Sequence, residues 1–311
     1  MTTSGDVLVV GSLNRDYVVS VDRLPGAGET RLGGELVQWP GGKGGNQAVA
    51  AALIGAGHGV RVALVGAIGA DNDGAALTQG LRRAGVDAAD VAQRADVRSG
   101  VALITVDRDG ENAIVVSPGA NASVTADEVS AALRRRSPKV VVVQCELPPE
   151  VVATAVTEGA NVGARCVLNL APVVSLAASV LELSDPLVVN ESEAAALLGH
   201  VIPNGGMESA ARALSNRARS LVLTAGASGA YVVAHGECVH VPARPVAAVD
   251  TTGAGDAFTG ALAVALALGH HPVIAAGWGA EVAAYAVARP GAQASFPSWR
   301  EVDLGQSGAP S

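Results

Sequence analysis

Asp250-Thr251-Thr252-Gly253-Ala254-Gly255-Asp256-Ala257-Phe258 carries the most chemistry in this sequence. An apolar helical run, Thr259 to Leu268, follows it and stops at Gly269. A glycine-rich turn opening a helix leaves backbone N–H groups without acceptors, and the helix dipole adds positive potential there. Such a turn is an anion site. A carboxylate at a helix start can serve simply as a cap. Beside an anion site it also suits phosphoryl transfer, accepting the proton of the attacking hydroxyl while the amides stabilise charge on the moving group. Asp256 fits both descriptions.

Four other segments offer polar groups at the ends of apolar runs. Gly41-Gly42-Lys43-Gly44-Gly45-Asn46 leads into a helix beginning Gln47-Ala48-Val49-Ala50. It is not a Walker A loop, because Gly follows Gly42-Lys43 where Ser or Thr is required. Its glycines permit close backbone approach to a ligand, and Lys43 and Asn46 offer donors suited to hydroxyl groups. Gly11-Ser12-Leu13-Asn14-Arg15-Asp16 follows the first apolar run, where open α/β sheets bind ligands, although an Asx turn reads the same way. Asn190 and Glu193 have the spacing of a capping box, and the same carboxylate could hold Mg2+ through water. Thr224-Ala225-Gly226-Ala227-Ser228-Gly229 could approach a nucleotide or only turn the chain.

Several elements must position these groups. Val7–Val10, Val62–Val65, Val140–Val143, Cys166–Leu168, Leu187–Val189 and Leu221–Leu223 are continuous apolar runs, the pattern of strands covered on both faces. Ala-rich helical patterns alternate with them: 47–54, 74–84, 126–135, 149–157, 191–198 and 209–218. The alternation predicts a three-layer α/β/α fold on a mostly parallel sheet with right-handed crossovers. Two segments break the rhythm. Residues 16–39 are punctuated by Gly and Pro, and 100–116 alternate around Asp107-Arg108-Asp109-Gly110, a hairpin signal. They predict a small antiparallel β lid, inserted at about 16–40 and 98–118 into a single domain spanning 1–311. The tail from Gly305 to Ser311 is expected to be disordered.

Together and in this order, these motifs resemble the PfkB-type (ribokinase) family of sugar kinases over nearly the whole chain. The Gly41–Asn46 loop and Asp250–Phe258 match its two signature regions. Gly11–Asp16, Gly100–Ile104, Glu111-Asn112, Gly119–Ala122 and Gly291–Gln293 look like segments of the members that act on ribose. The resemblance implies ATP-dependent phosphorylation of D-ribose at O5. Asn14, Asp16, Gly42, Lys43, Asn46 and Glu146 would bind sugar hydroxyls. Asp256 would be the general base, and the amides of Gly253, Ala254 and Gly255 the anion hole. Asn190, Thr224, Gly226, Ala227 and Gly229, with Gly255, would line the nucleotide site. Glu193 would help place Mg2+. Asp250, Thr252, Ala286, Arg289, Gly291 and Ser295 would hold K+, mostly through carbonyls. The family also implies a homodimer through the lid strands. Ala227-Ser228 and Ala280 depart from its pattern near the adenine, where relatives often carry longer polar side chains.

Composition excludes some classes. A net charge of −8 opposes binding to nucleic-acid phosphates. The longest apolar stretch, Ala261 to Leu268, is too short to span a bilayer, and Val7 to Val10 is too short for a signal peptide. Cys145, Cys166 and Cys238 have no metal-ligand spacing and read as reduced thiols, so a cytoplasmic protein is expected. Three alternatives stay open: a kinase for another pentose, a hexose or a nucleoside; a sugar- or nucleotide-binding regulator without turnover; and a nicotinamide oxidoreductase, which the absence of G-x-G-x-x-G disfavours. Aromatics are 3% of the chain, so a stacked nucleobase is poorly supplied.

Overall fold

The computed structural model describes residues 6–305. The tail reading therefore falls largely outside the described residues, as do residues 1–5 of the N-terminus. The chain runs β1 (Val7–Val10), β2 (Asn14–Ser20), β3 (Val37–Gly41), α1 (Lys43–Gly55), β4 (Val62–Gly69), α2 (Asn72–Arg83) and β5 (Asp87–Arg94). It continues with β6 (Gly100–Val106), β7 (Asn112–Ser117), α3 (Ala126–Arg136), β8 (Val140–Gln144), α4 (Pro149–Asn161) and β9 (Arg165–Asn169). Then come α5 (Ala178–Leu181), β10 (Leu187–Asn190), α6 (Glu191–Leu198), α7 (Met207–Leu214), β11 (Ser220–Thr224), β12 (Ala230–Ala234), β13 (Glu237–Val241), α8 (Ala254–Ala267) and α9 (Pro272–Val287).

Nine strands form the main sheet in the order β13-β12-β11-β10-β9-β8-β1-β4-β5. It is parallel from β11 to β5, and β12 and β13 add an antiparallel edge. Alternate side chains enter opposite helical layers. Val7, Val9, Val140 and Val142 pack with α1, α2, α8 and α9. Leu8, Val10, Val141 and Val143 pack with α3, α4, α6 and α7. This two-sided burial makes the strands continuous apolar runs. β1 pairs with both β4 and β8, so chain order reverses there. A crevice opens beyond the strand ends at such a switch point.

The second sheet has the order β3-β2-β6-β7. β2·β3 and β6·β7 are antiparallel arms, as the hairpin signal at Asp107–Gly110 indicates, but their junction β2·β6 is parallel. β2 leaves the body directly after β1, and β6 leaves it on the same side after the β4–α2–β5 crossover, so the two strands point the same way. Five elements were not read from sequence, the one-turn α5 among them. β5 carries Asp87, Asp90 and Gln93 at a sheet edge, β12 and β13 are a short hairpin at the other edge, and α9 is apolar on nearly every face and shows no helical stripe. α1 also starts at Lys43, so the glycine run is the first turn of the helix rather than a loop before it.

Candidate active site

The first turn of α1 lies against the turn after β1. A Cβ on Gly44 would fall 2.4 Å from the Gly11 carbonyl carbon and 2.5 Å from the Ser12 nitrogen, so only glycine fits. Gly42 has φ 82°, in the region that favours glycine. The exposed amides of this turn are satisfied locally. Gly45 N–H donates to the Ser12 carbonyl (2.9 Å) and Lys43 N–H to Glu146 Oε2 (3.0 Å). Ser12 Oγ donates to the same Glu146 oxygen (2.5 Å). Glu146 therefore ties the end of β8 to both glycine-containing turns.

Asp256 sits in the first turn of α8 and is 6% exposed. Its Oδ2 accepts from Asn46 Nδ2 and its Oδ1 from Gln47 Nε2, both at 2.9 Å. Gln293 Nε2 donates to Asn46 Oδ1 (3.0 Å), so the Asn46 amide has one orientation. Gly253, with φ 75°, caps the helix. Ala254 N–H donates to the Thr251 carbonyl (3.2 Å), whereas Gly255 N–H has no backbone acceptor among the described residues. A Cβ on Gly255 would meet nothing within 4 Å, so open space lies beside that amide.

The charges of the cleft interact. Asp256, more than Glu146 and Glu193, raises Lys43 above its ordinary value and keeps it an ammonium against its burial. Burial, reinforced by Glu146 and Asp256 and opposed by Arg15, pushes Asp16 from 3.8 to about 7. The Asp16 carboxylate lies over Gly41, where a Cβ would fall 2.2 Å from Oδ2. Asn14 is buried, and its Oδ1 accepts from Asn121 Nδ2 (2.8 Å). Burial pushes the nearby Cys145 thiol up to about 12.

The adjacent strand ends carry the remaining set. Asn190 and Thr224 are register partners across β10 and β11. Asn190 and Glu193 form the capping box: Glu193 Oε2 accepts from Asn190 N–H (2.8 Å), and Asn190 Oδ1 accepts from Glu193 N–H (2.8 Å). Burial raises Glu193 above its ordinary value, and Lys43 opposes this. Gly226 and Gly229 take φ 53° and 91° around a tight turn containing Ala227. Ala280 is buried in α9.

Beyond the start of α8, Asp250 accepts from Thr252 N–H (2.9 Å) and Gly291 N–H (2.8 Å). Burial raises its carboxyl, but these bonds outweigh it and hold the group below its usual range. Ser295 is buried there, while the Arg289 side chain turns away to Glu301 (3.1 Å). The Ala286 carbonyl accepts from Arg289 N–H. Sequence reasoning gave no role to Ser12, Gln47, Asn121, Gln144, Asn169 or Gln293, all of which the fold brings around this centre. A Gln in an Ala-rich helix carries no local signal of its contacts.

The fold has close counterparts. The family model for pfkB family carbohydrate kinases matches residues 4–299. Ribokinase of Schizosaccharomyces pombe is 36% identical over 308 residues, covering 96% of each chain. The crystal structure of ribokinase from Thermotoga maritima superposes with a TM-score of 0.85 at 33% identity, covering 95% of this chain and 97% of that one. Arabidopsis thaliana ribokinase complexed with ribose and ATP superposes with a TM-score of 0.86 at 27% identity, covering 96% and 97%.

Proposed function

The chain belongs to the pfkB family of carbohydrate kinases, and on that premise we propose that it transfers the γ-phosphoryl group of ATP to the O5 hydroxyl of D-ribose, giving D-ribose 5-phosphate and ADP. One observation carries the reading: a buried carboxylate, Asp256, lies in the first turn of α8 beside the unengaged Gly255 amide. Asp256 takes the proton of the attacking hydroxyl. The amides of Gly253, Ala254 and Gly255 stabilise charge on the phosphoryl group, with Gly255 N–H available as the chain stands and Ala254 N–H engaged by Thr251. Asn14, Asp16, Gly42, Lys43, Asn46 and Glu146 hold the sugar hydroxyls. Asn190, Thr224, Gly226, Ala227 and Gly229 line the nucleotide. Four strands, β2, β3, β6 and β7, form the lid that excludes water on closure.

The donors suit two cations. Half-buried Glu193 and buried Asp256 place carboxylate charge in one cleft, which fits Mg2+ held through water and phosphate. Mg2+ there would neutralise phosphate charge. Asp250, Thr252, Ala286, Arg289, Gly291 and Ser295 offer hard oxygen donors from the turn before α8, the end of α9 and the segment after it, which fits K+. K+ would order the loop that carries Gly253–Gly255. Replacing K+ by tetramethylammonium is then expected to depress turnover, and unchanged rates would remove the cation from the mechanism.

The lid carries exposed Leu103, Ile114, Val115 and Val116, which supports a homodimer through its strands. Among the described residues no helix is long and apolar enough to cross a membrane. The reduced thiols Cys145 and Cys166 suit the cytoplasm.

Asp16 makes the sugar site pH-sensitive. With its carboxyl at about 7, it loses its charge below neutrality and accepts sugar hydroxyls poorly. The KM for ribose should therefore rise as the pH falls through 7, and a flat KM from pH 8 to pH 5.5 would contradict this. The stability effect has the opposite sign. The folded value lies above the ordinary 3.8, so the contribution is present in acid and lost as the pH rises through about 7. The defining experiment measures ATP-dependent ADP release over a panel of sugars and nucleosides. Turnover on D-ribose is expected, and turnover on another substrate would move the specificity while keeping the chemistry.

A further inference from the structure

Three buried amides lie beneath Asp256, outside the cleft. Gln47 and Gln144 are fully buried and Asn169 is 8% exposed. They come from the second turn of α1 and the ends of β8 and β9, so only the folded body brings them together. Gln47 Nε2 donates to both Asp256 Oδ1 and Asn169 Oδ1, at 2.9 Å each. Gln47 Oε1 accepts from Gln144 Nε2 at 2.7 Å. Asn169 Nδ2 donates to the Val188 carbonyl at 3.3 Å, which fixes the Asn169 amide. A reversed Gln47 amide would set its oxygen against two oxygens and its NH2 against Gln144 Nε2. Gln47 thus has a single satisfied orientation.

The network also contains an unbalanced atom. Gln144 Oε1 is buried and has no hydrogen-bond partner among the described residues. Buried amides left half-satisfied are costly and need a reason. Here the reason is directional. Turning Gln144 to satisfy that oxygen elsewhere would point its NH2 away from Gln47 and unlock the Gln47 amide. The chain accepts one unsatisfied oxygen and keeps a donor aimed at Asp256. Asn46 holds the other carboxylate oxygen from the cleft side, so the Asp256 carboxylate is gripped at both ends.

We propose that Gln47, locked by Gln144 and Asn169, is a positioning residue that fixes the Asp256 carboxylate in line with the attacking hydroxyl. The proposal rests on the reading of Asp256 as the base. Gln47 touches no reacting atom, and it acts by denying Asp256 the rotations that would carry its acceptor lone pairs off line. Misplacement of a reacting group by about 1 Å costs about 10²-fold in rate.

The test uses the full-length enzyme and four variants: Gln47→Met, Gln144→Met, Asp256→Asn and the double variant Gln47→Met/Asp256→Asn. Gln47→Met is expected to lose about 10²-fold in kcat, with the KM for ribose and the calorimetric Kd for ribose within about threefold of the parent. Gln144→Met, which leaves Gln47 present but free to turn, should lose less in kcat with the same unchanged Kd. In the Asp256→Asn background Gln47→Met should add little, because residues acting through one group are not additive. A parental kcat for Gln47→Met, or a fall in kcat matched by an equal loss of ribose affinity, would overturn the proposal. Should Gln47→Met fail to fold, Gln144→Met decides, and a parental kcat there has the same force. Parental turnover by Asp256→Asn would instead remove the base reading itself, a distinguishable failure.

Discussion

Asp256→Asn is expected to lower kcat for ribose phosphorylation by about 10²–10⁴-fold, the range that a positioned general base contributes. Asparagine preserves the size of the side chain, and its one carbonyl oxygen can still accept from Asn46 or from Gln47, while its NH2 faces the other donor. The fold and the sugar site should therefore survive, and the calorimetric Kd for ribose should stay near the parental value. The pairing of these readouts matters. Removal of the charge also withdraws the largest influence holding Lys43 charged, so a modest change in sugar affinity is consistent with the assignment. Turnover within about tenfold of the parent is not, because a dispensable carboxylate cannot be the acceptor for the hydroxyl proton.

Gly44→Ala should be nearly as damaging, for steric reasons. The new methyl would lie 2.4, 2.5 and 2.6 Å from the carbonyl carbon of Gly11, the nitrogen of Ser12 and the Cα of Gly11. All three are backbone atoms and cannot swing aside. The first turn of α1 must lift, carrying Lys43, Asn46 and Gln47 with it. Overpacking of this kind costs about 1–3 kcal/mol. The gain in helix propensity from Gly to Ala is at most about 1 kcal/mol, so the clash wins. A lowered Tm is expected together with a loss of about 10²-fold in kcat/KM for ribose. Gly80→Ala is the matched control. It lies within α2, and its Cβ would meet nothing within 4 Å, so the same substitution should stabilise by about 0.4–1 kcal/mol. If both variants melt and turn over like the parent, close approach at Gly44 is not what the glycine run supplies.

The sequence revealed the parts of this molecule whose environment is uniform along the chain. Val7–Val10 and Val140–Val143 are apolar without interruption because helices cover both faces. The hairpin between β6 and β7 was legible from the turn at Asp107–Gly110, a local matter of backbone conformation. β5 escaped because an edge strand can carry Asp87 and Asp90, which pair with Arg135 and Arg136 of α3. α9 escaped because a helix wedged between α8 and the sheet is apolar all round and shows no stripe. The same division holds at the candidate site. Asp256, Lys43 and Asn46 lie in short motifs whose residue types are unusual together. Gln47, Gln144 and Asn169 are ordinary polar residues in three separate elements, and their meeting depends on strand order, which no local pattern encodes. The capping box at Asn190 and Glu193 was readable to the level of its hydrogen bonds because all of it lies within four residues.

The parallel junction of the small sheet ties the lid to the body. β2 cannot find β6 by local search, because Asn14 pairs with Gly100 only after α1, β4, α2 and β5 have been laid down between them. Closing so long a loop costs entropy that the intervening structure must first offset. The alignment of the two arms thus depends on the packing of the body beneath them. Asn14 stands at the foot of that junction, where its side chain meets Asn121. The wall proposed to face the sugar therefore owes its alignment to the β4–α2–β5 crossover, and a substitution that weakens the crossover is expected to disturb the pocket as well as the core.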